Sequence, residues 1–147
     1  MSGLAKLLAG HTNPGVYHWA TAADPEVVRH AAERAGWRYI GLDTWQVEGK
    51  AEFLQACKCA FGIEDLADHS FDGLADALND VQPGDAAGVV VLWDGWGPFA
   101  RADRHAFDVA ADVFDARVDE ERVGAFAVLL KGPGPRTDLP ELDPHHT

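Results

Sequence analysis

Residues 70–94 read SFDGLADALNDVQPGDAAGVVVLWD, and the fold turns on how this stretch is parsed. Phe71, Leu74, Ala75 and Leu78 recur at helical spacing, and Ser70 stands where an N-cap belongs, so Ser70–Asp80 reads as an amphipathic helix. Pro83, Gly84 and Asp85 interrupt that pattern. Val89–Trp93 then runs without a polar residue, the mark of a strand covered on both faces of its sheet. A helix leading into a doubly covered strand implies a parallel sheet built through helical crossovers.

The rest of the chain extends the same alternation. Upstream, Asp24-Pro25-Glu26 combines an N-cap, a first-turn proline and an acid suited to the helix dipole. Val27, Val28, Ala31 and Ala35 follow as an apolar stripe closed by Gly36. Trp37–Asp43 is a strand candidate, and Lys50–Phe61 is a helix with Phe53, Leu54, Cys57 and Phe61 on one face. Downstream, Phe107, Ala110, Ala111, Phe114 and Val118 form another helical stripe before the apolar run Phe126–Leu130. The expected fold is α/β: a small parallel β-sheet of three core strands packed with helices, with Val16–Ala20 as a possible fourth, N-terminal strand. Residues 1–36 read as an N-terminal extension and 37–131 as the principal domain. Residues 132–147, with Pro133, Pro135, Pro140 and Pro144, read as a loose tail.

At 147 residues the chain fits one domain and can bury roughly 70% of its unfolded surface without disulfide staples. Cys57 and Cys59 lie two apart on a helix and do not face each other. No further Cys or His completes a metal set around them, so Cys57 reads as core, Cys59 as a partly exposed thiol, and no metal or cofactor is called for. The N-terminus lacks the apolar stretch of a secretory signal, and the longest apolar run is far short of a membrane span. A reduced, cytoplasmic protein is expected.

Charge is the informative quantity. Lys+Arg number 12 against 24 Asp+Glu, a formal net charge of −12. That balance disfavours nucleic acid and anionic membranes as partners and favours a basic protein. The excess is local. Residues 61–100 carry Glu64, Asp65, Asp68, Asp72, Asp76, Asp80, Asp85 and Asp94 with no Lys or Arg, so 8 of the 12 surplus negative charges fall there. Asp68, Asp72, Asp76 and Asp80 recur every four residues, on one side of the expected helix and opposite Phe71, Leu74 and Leu78. Such a row of like charges costs about 1 kcal/mol of helix stability. It is either a solvated face that aids solubility or a docking face for a Lys- and Arg-lined cleft of the kind that holds nucleic-acid phosphates.

The order of elements, together with GLDTWQVEGKAEFLQACKCAFGI, SFDGLADALND, VVVLWDGW and FAVLLKG, resembles the barstar family, intracellular protein inhibitors of secreted ribonucleases. The resemblance covers residues 37–131, and its centre is Phe71-Asp72-Gly73-Leu74-Ala75-Asp76-Ala77-Leu78. It implies that Asp72 and Asp76 enter the enzyme's active site, with Asp76 at the catalytic phosphate position. It also implies a further acid on the helix before the last strand, for which Asp115 and Asp119 are the candidates. The family's aromatic and Asn contacts before this helix are replaced here by Leu66-Ala67-Asp68-His69-Ser70, and Ala75 stands where Trp is frequent. His69 and Ser70 are the contacts that remain possible there. The implied partner is a basic ribonuclease or other nuclease, bound by a monomer in a 1:1 complex. An immunity protein for a toxin nuclease is the alternative within the same physics. A small α/β enzyme is the alternative outside it, with His69 beside Asp72 and Asp103-Arg104-His105 near Asp108 as the nearest catalytic groupings. Trp93 and Trp96 read as core or rim aromatics rather than the lining of a ligand pocket.

Overall fold

The computed structural model describes residues 3–64, 70–120 and 124–142. The elements follow as α1 (Gly3–Leu8), β1 (Val16–His18), α2 (Pro25–Arg34), β2 (Arg38–Asp43), α3 (Lys50–Phe61), α4 (Phe71–Leu78), β3 (Gly88–Asp94), α5 (Gly97–Ala102), α6 (Arg104–Asp119) and β4 (Ala125–Lys131). Four strands form one parallel sheet in the order β1-β4-β3-β2, with Val91 opposite Ile40 on one side and Val128 on the other. The possible N-terminal strand is present as β1, three residues long at the edge beside β4. Val89–Trp93 occupies the interior of the sheet as its apolar run requires, each residue at most 1% exposed.

Side chains alternate between the sheet's faces, and each face has its own core. On the inner face, Val89, Val91, Trp93, Phe126 and Val128 meet Phe53, Leu54, Leu74, Leu78, Phe107 and Phe114 from α3, α4 and α6. Trp93 is the hub, its ring 5.2 Å from that of Phe53 and 5.5 Å from those of Phe107 and Phe114. Its indole N–H donates to Thr44 Oγ1 at 2.8 Å, and the Thr44 hydroxyl passes the bond on to the Gly95 carbonyl at 2.8 Å, so the buried polar atoms are satisfied. On the outer face, Val90, Leu92, Ala127 and Leu129 are covered by Leu4, Leu7, Trp19, Val28, Ala32 and Trp37. Residues 1–36 therefore supply a strand and the outer helical layer. Cys57 is buried and Cys59 exposed, both as free thiols.

The expectation of a loose tail is corrected over residues 132–142. The His18 N–H donates to the Pro140 carbonyl at 2.8 Å, and the Leu142 N–H donates back to the His18 carbonyl at 2.7 Å. The His18 ring nitrogen Nε2 bonds the Thr137 hydroxyl, and Leu142 is buried in the outer core. The cause is the free edge of β1, whose unpaired backbone groups accept an extended partner. His145 and His146 lie outside the described residues.

Candidate functional site

α4 is short, and its ends explain its placement. The Ser70 hydroxyl accepts from the Gly73 N–H at 3.0 Å, capping the first turn, and Asp72 sits in that turn where the dipole favours an anion. Phe71, Gly73, Leu74 and Leu78 are buried, Ala75 and Ala77 half-buried, and Asp72 and Asp76 exposed. The expected extension to Asp80 is corrected: the helix ends at Leu78, and Asp80 is exposed in the following turn with its N–H on the Ala77 carbonyl at 3.0 Å. Asp68 and His69 lie outside the described residues. The four-residue row therefore reduces, within the helix, to Asp72 and Asp76 one turn apart.

Arg117 of α6 holds the far end of this helix. Only 3% exposed, it donates through Nε to the Leu78 carbonyl at 3.0 Å, through Nη2 to the Val81 carbonyl at 2.8 Å and through Nη1 to the Gly124 carbonyl at 3.1 Å. Its guanidinium also lies 4.7 Å from the Phe126 ring centroid. The last carbonyls of a helix lack internal partners, so one side chain fixes both the end of α4 and the turn that carries Asp80. At the other end, Lys50 Nζ stands 5.4 Å from the Phe71 ring centroid. Among the described residues no cation forms an ion pair with Asp72, Asp76 or Asp80. The result is an exposed pair of carboxylates, without an ion pair among the described residues, on a helix anchored at both ends.

Asp115 and Asp119 are placed elsewhere. Asp115 borders a groove of about 490 Å³ with Val16, Tyr17, Thr137 and Leu139. Asp119 borders another with Asn13, Pro14 and Gly124, and neither groove contains a residue of α4. Partial burial, followed by the charges of Asp119 and Asp112, raises the Asp115 carboxyl above its ordinary range. The acid that shares the field of Arg117 is Glu120, which the sequence reading missed. The available signal was an arginine on the apolar stripe Ala110, Phe114, Arg117 with an acid three residues on.

Of the alternative catalytic groupings, the one around Asp103 falls wholly within the described residues, and its Asp103, Arg104 and Asp108 have structural partners. The Asp103 carboxylate caps α6 by accepting from the Ala106 N–H at 3.1 Å, and Arg104 pairs with Asp108 at 3.0 Å while reaching the Arg136 carbonyl at 3.0 Å. Trp93 and Trp96 are both buried, as core aromatics. Among the described residues no group of three or more His, Cys, Asp or Glu is arranged to hold a metal ion, and no helix is long and apolar enough to cross a membrane.

Comparison with known proteins adds two findings. The family model described as Barstar (barnase inhibitor) matches residues 37–131, from the start of β2 to the end of β4. Among curated proteins none matches. Eleven solved chains do, including the ORC2 protein of Aeropyrum pernix in ADPNP–ADP complexes, with a TM-score of 0.55 and 12% identity over 89% of this chain. This chain spans 38% of that one, and at such identity the likeness concerns the α/β fold alone.

Proposed function

The chain belongs to the barstar family, and from that premise we propose that it is a protein inhibitor of a basic ribonuclease, blocking the active site with the exposed face of α4. The observation that carries this reading is the pair Asp72 and Asp76, exposed one turn apart and in no ion pair among the described residues, on a helix that Ser70 and Arg117 hold in place. Two carboxylates so fixed present negative charge as two phosphates would, at little entropic cost on docking. Asp76 takes the catalytic phosphate position and Asp72 a neighbouring basic group, with Ser70, Ala75 and Asp80 at the rim. Asp68 and His69, which precede the helix in sequence, are further contacts in this proposal. Asp115 and Asp119 lie on grooves without α4 residues, so their contribution is to the long-range field; Glu120, the C-cap residue of α6 in the field of Arg117, is the acid we add to the docking face.

The chain acts by occupation and performs no chemistry of its own, as a monomer in a 1:1 complex within the cytoplasm. A toxin nuclease is the second candidate partner.

Electrostatic docking has a kinetic signature. The association rate with a susceptible nuclease is expected to fall steeply between low and physiological salt, and the doubly substituted Asp72→Asn, Asp76→Asn chain to lose both the rate and its salt dependence. Salt-independent association, or unchanged inhibition by the double variant, would overturn the assignment of the face.

A further inference from the structure

A second surface, on the far side of α3, carries a recognition device that the acidic helix does not use. Trp45, in the loop after β2, is 42% exposed, whereas the four other tryptophans are at most 8% exposed. It is nevertheless seated firmly. A Cβ at Gly95 would come within 2.4 Å of its indole and one at Gly132 within 3.0 Å, and these two glycines have φ of +78° and +112°. Two turns at the carboxyl ends of β3 and β4 are thus left without side chains where an outward-facing ring rests on them. The Trp45 backbone N–H donates to Asp43 Oδ1 at 3.1 Å, fixing the loop from the other side.

The ring borders a groove of about 720 Å³ with an apolar floor of Val47, Ala51 and Ala56 and the carboxylates of Asp43 and Glu52. Among the described residues that line it none is Lys or Arg, and none belongs to α4. We propose that this groove is a docking site for an arginine-bearing segment of a protein partner. A guanidinium lies flat on the indole face, its N–H groups reach the two carboxylates, and its methylene stem covers the apolar floor. The charge argues for a cation. The rigid aromatic plane argues for planar guanidinium over the compact, strongly hydrated ammonium of lysine. The proposal does not depend on the nuclease reading of α4.

The test uses the whole chain, isotopically labelled, titrated at low salt with acetylated tetra-arginine amide and watched at the Trp45 indole N–H and the Ala51 and Cys59 amides. Saturable shifts are expected at all three. They are expected to persist in the Asp72→Asn, Asp76→Asn chain, to need about two- to fivefold more peptide in Glu52→Gln, and to weaken at least as much at the two amides in Trp45→Ala. Trp45→Phe restores a ring and most of the binding, which separates loss of the ring from disturbance of the Gly95 and Gly132 turns. Three results would overturn the proposal: no shifts around α3, shifts that vanish with the α4 carboxylates, or equal shifts with tetra-lysine, which would mark charge alone.

Discussion

In the proposed inhibitory face, Asp76 supplies charge and Arg117 anchors the helix that carries it. Asp76 is exposed and makes no ion pair among the described residues, so Asp76→Ala is expected to leave the melting temperature within a degree or two while weakening the nuclease complex by on the order of a hundredfold or more. Arg117→Ala is expected to do the reverse first: three carbonyls lose a buried charged donor, destabilising the fold by about 3 kcal/mol in chemical denaturation. His18 gives a third test. Burial lowers its pKa, an effect that outweighs the opposing charge of Glu141, so the folded chain resists a proton that the unfolded chain accepts. Stability from this group is therefore complete above the unfolded value of about 6.5 and is lost as pH falls below it. Melting curves between pH 7.5 and 5.5 are expected to drop further for the wild type than for His18→Gln, and identical slopes would remove His18 from the account.

At the scale of elements, what could be read depended on whether the deciding contacts were local. The stripe Phe71, Leu74, Leu78 and the Ser70 cap identified α4 because both act within one or two turns. Ser70→Ala is accordingly expected to cost about 1 kcal/mol in thermal or denaturant unfolding, and a cost near zero would mean that the cap does not hold the start of the helix. The helix end was not legible, since its last carbonyl, that of Leu78, is held by Arg117, 39 residues away in the sequence. The same reason hid the pairing of β1 with the tail, where three residues at a sheet edge find a partner more than a hundred positions later. α1 and α5, six residues each, are too short for a period to show. Val89–Trp93 and Phe126–Leu130 were plain because a strand covered on both faces leaves no polar residue in its run. Along α4, the spacing of the acids put Asp72 and Asp76 one turn apart on the helix but carried the row past its end to Asp80, because periodicity marks positions and cannot mark where a helix stops.

Across the whole molecule, the outer layer is as much a part of the fold as the family-like domain. Val90, Leu92, Ala127 and Leu129 of the outer face are each at most 1% exposed, and residues 1–36 contribute most of their cover. Removing residues 1–36 is expected to leave an aggregating chain without a cooperative melt, as calorimetry and light scattering would show. A truncated chain that melts cooperatively as a monomer would instead mark the outer layer as dispensable. The net charge of −12 gives the molecule a long-range field, and the fixed pair on α4 is the proposed point of contact within it. This pair is proposed to close the active site of a nuclease. Its most direct test is a titration of the purified chain into a panel of secreted bacterial ribonucleases, following cleavage of a fluorogenic RNA, with Asp76→Ala run alongside. Stoichiometric loss of cleavage is expected for at least one enzyme, with recovery of cleavage in the variant. Cleavage unaffected by micromolar inhibitor throughout the panel, or abolished equally by Asp76→Ala, would contradict it.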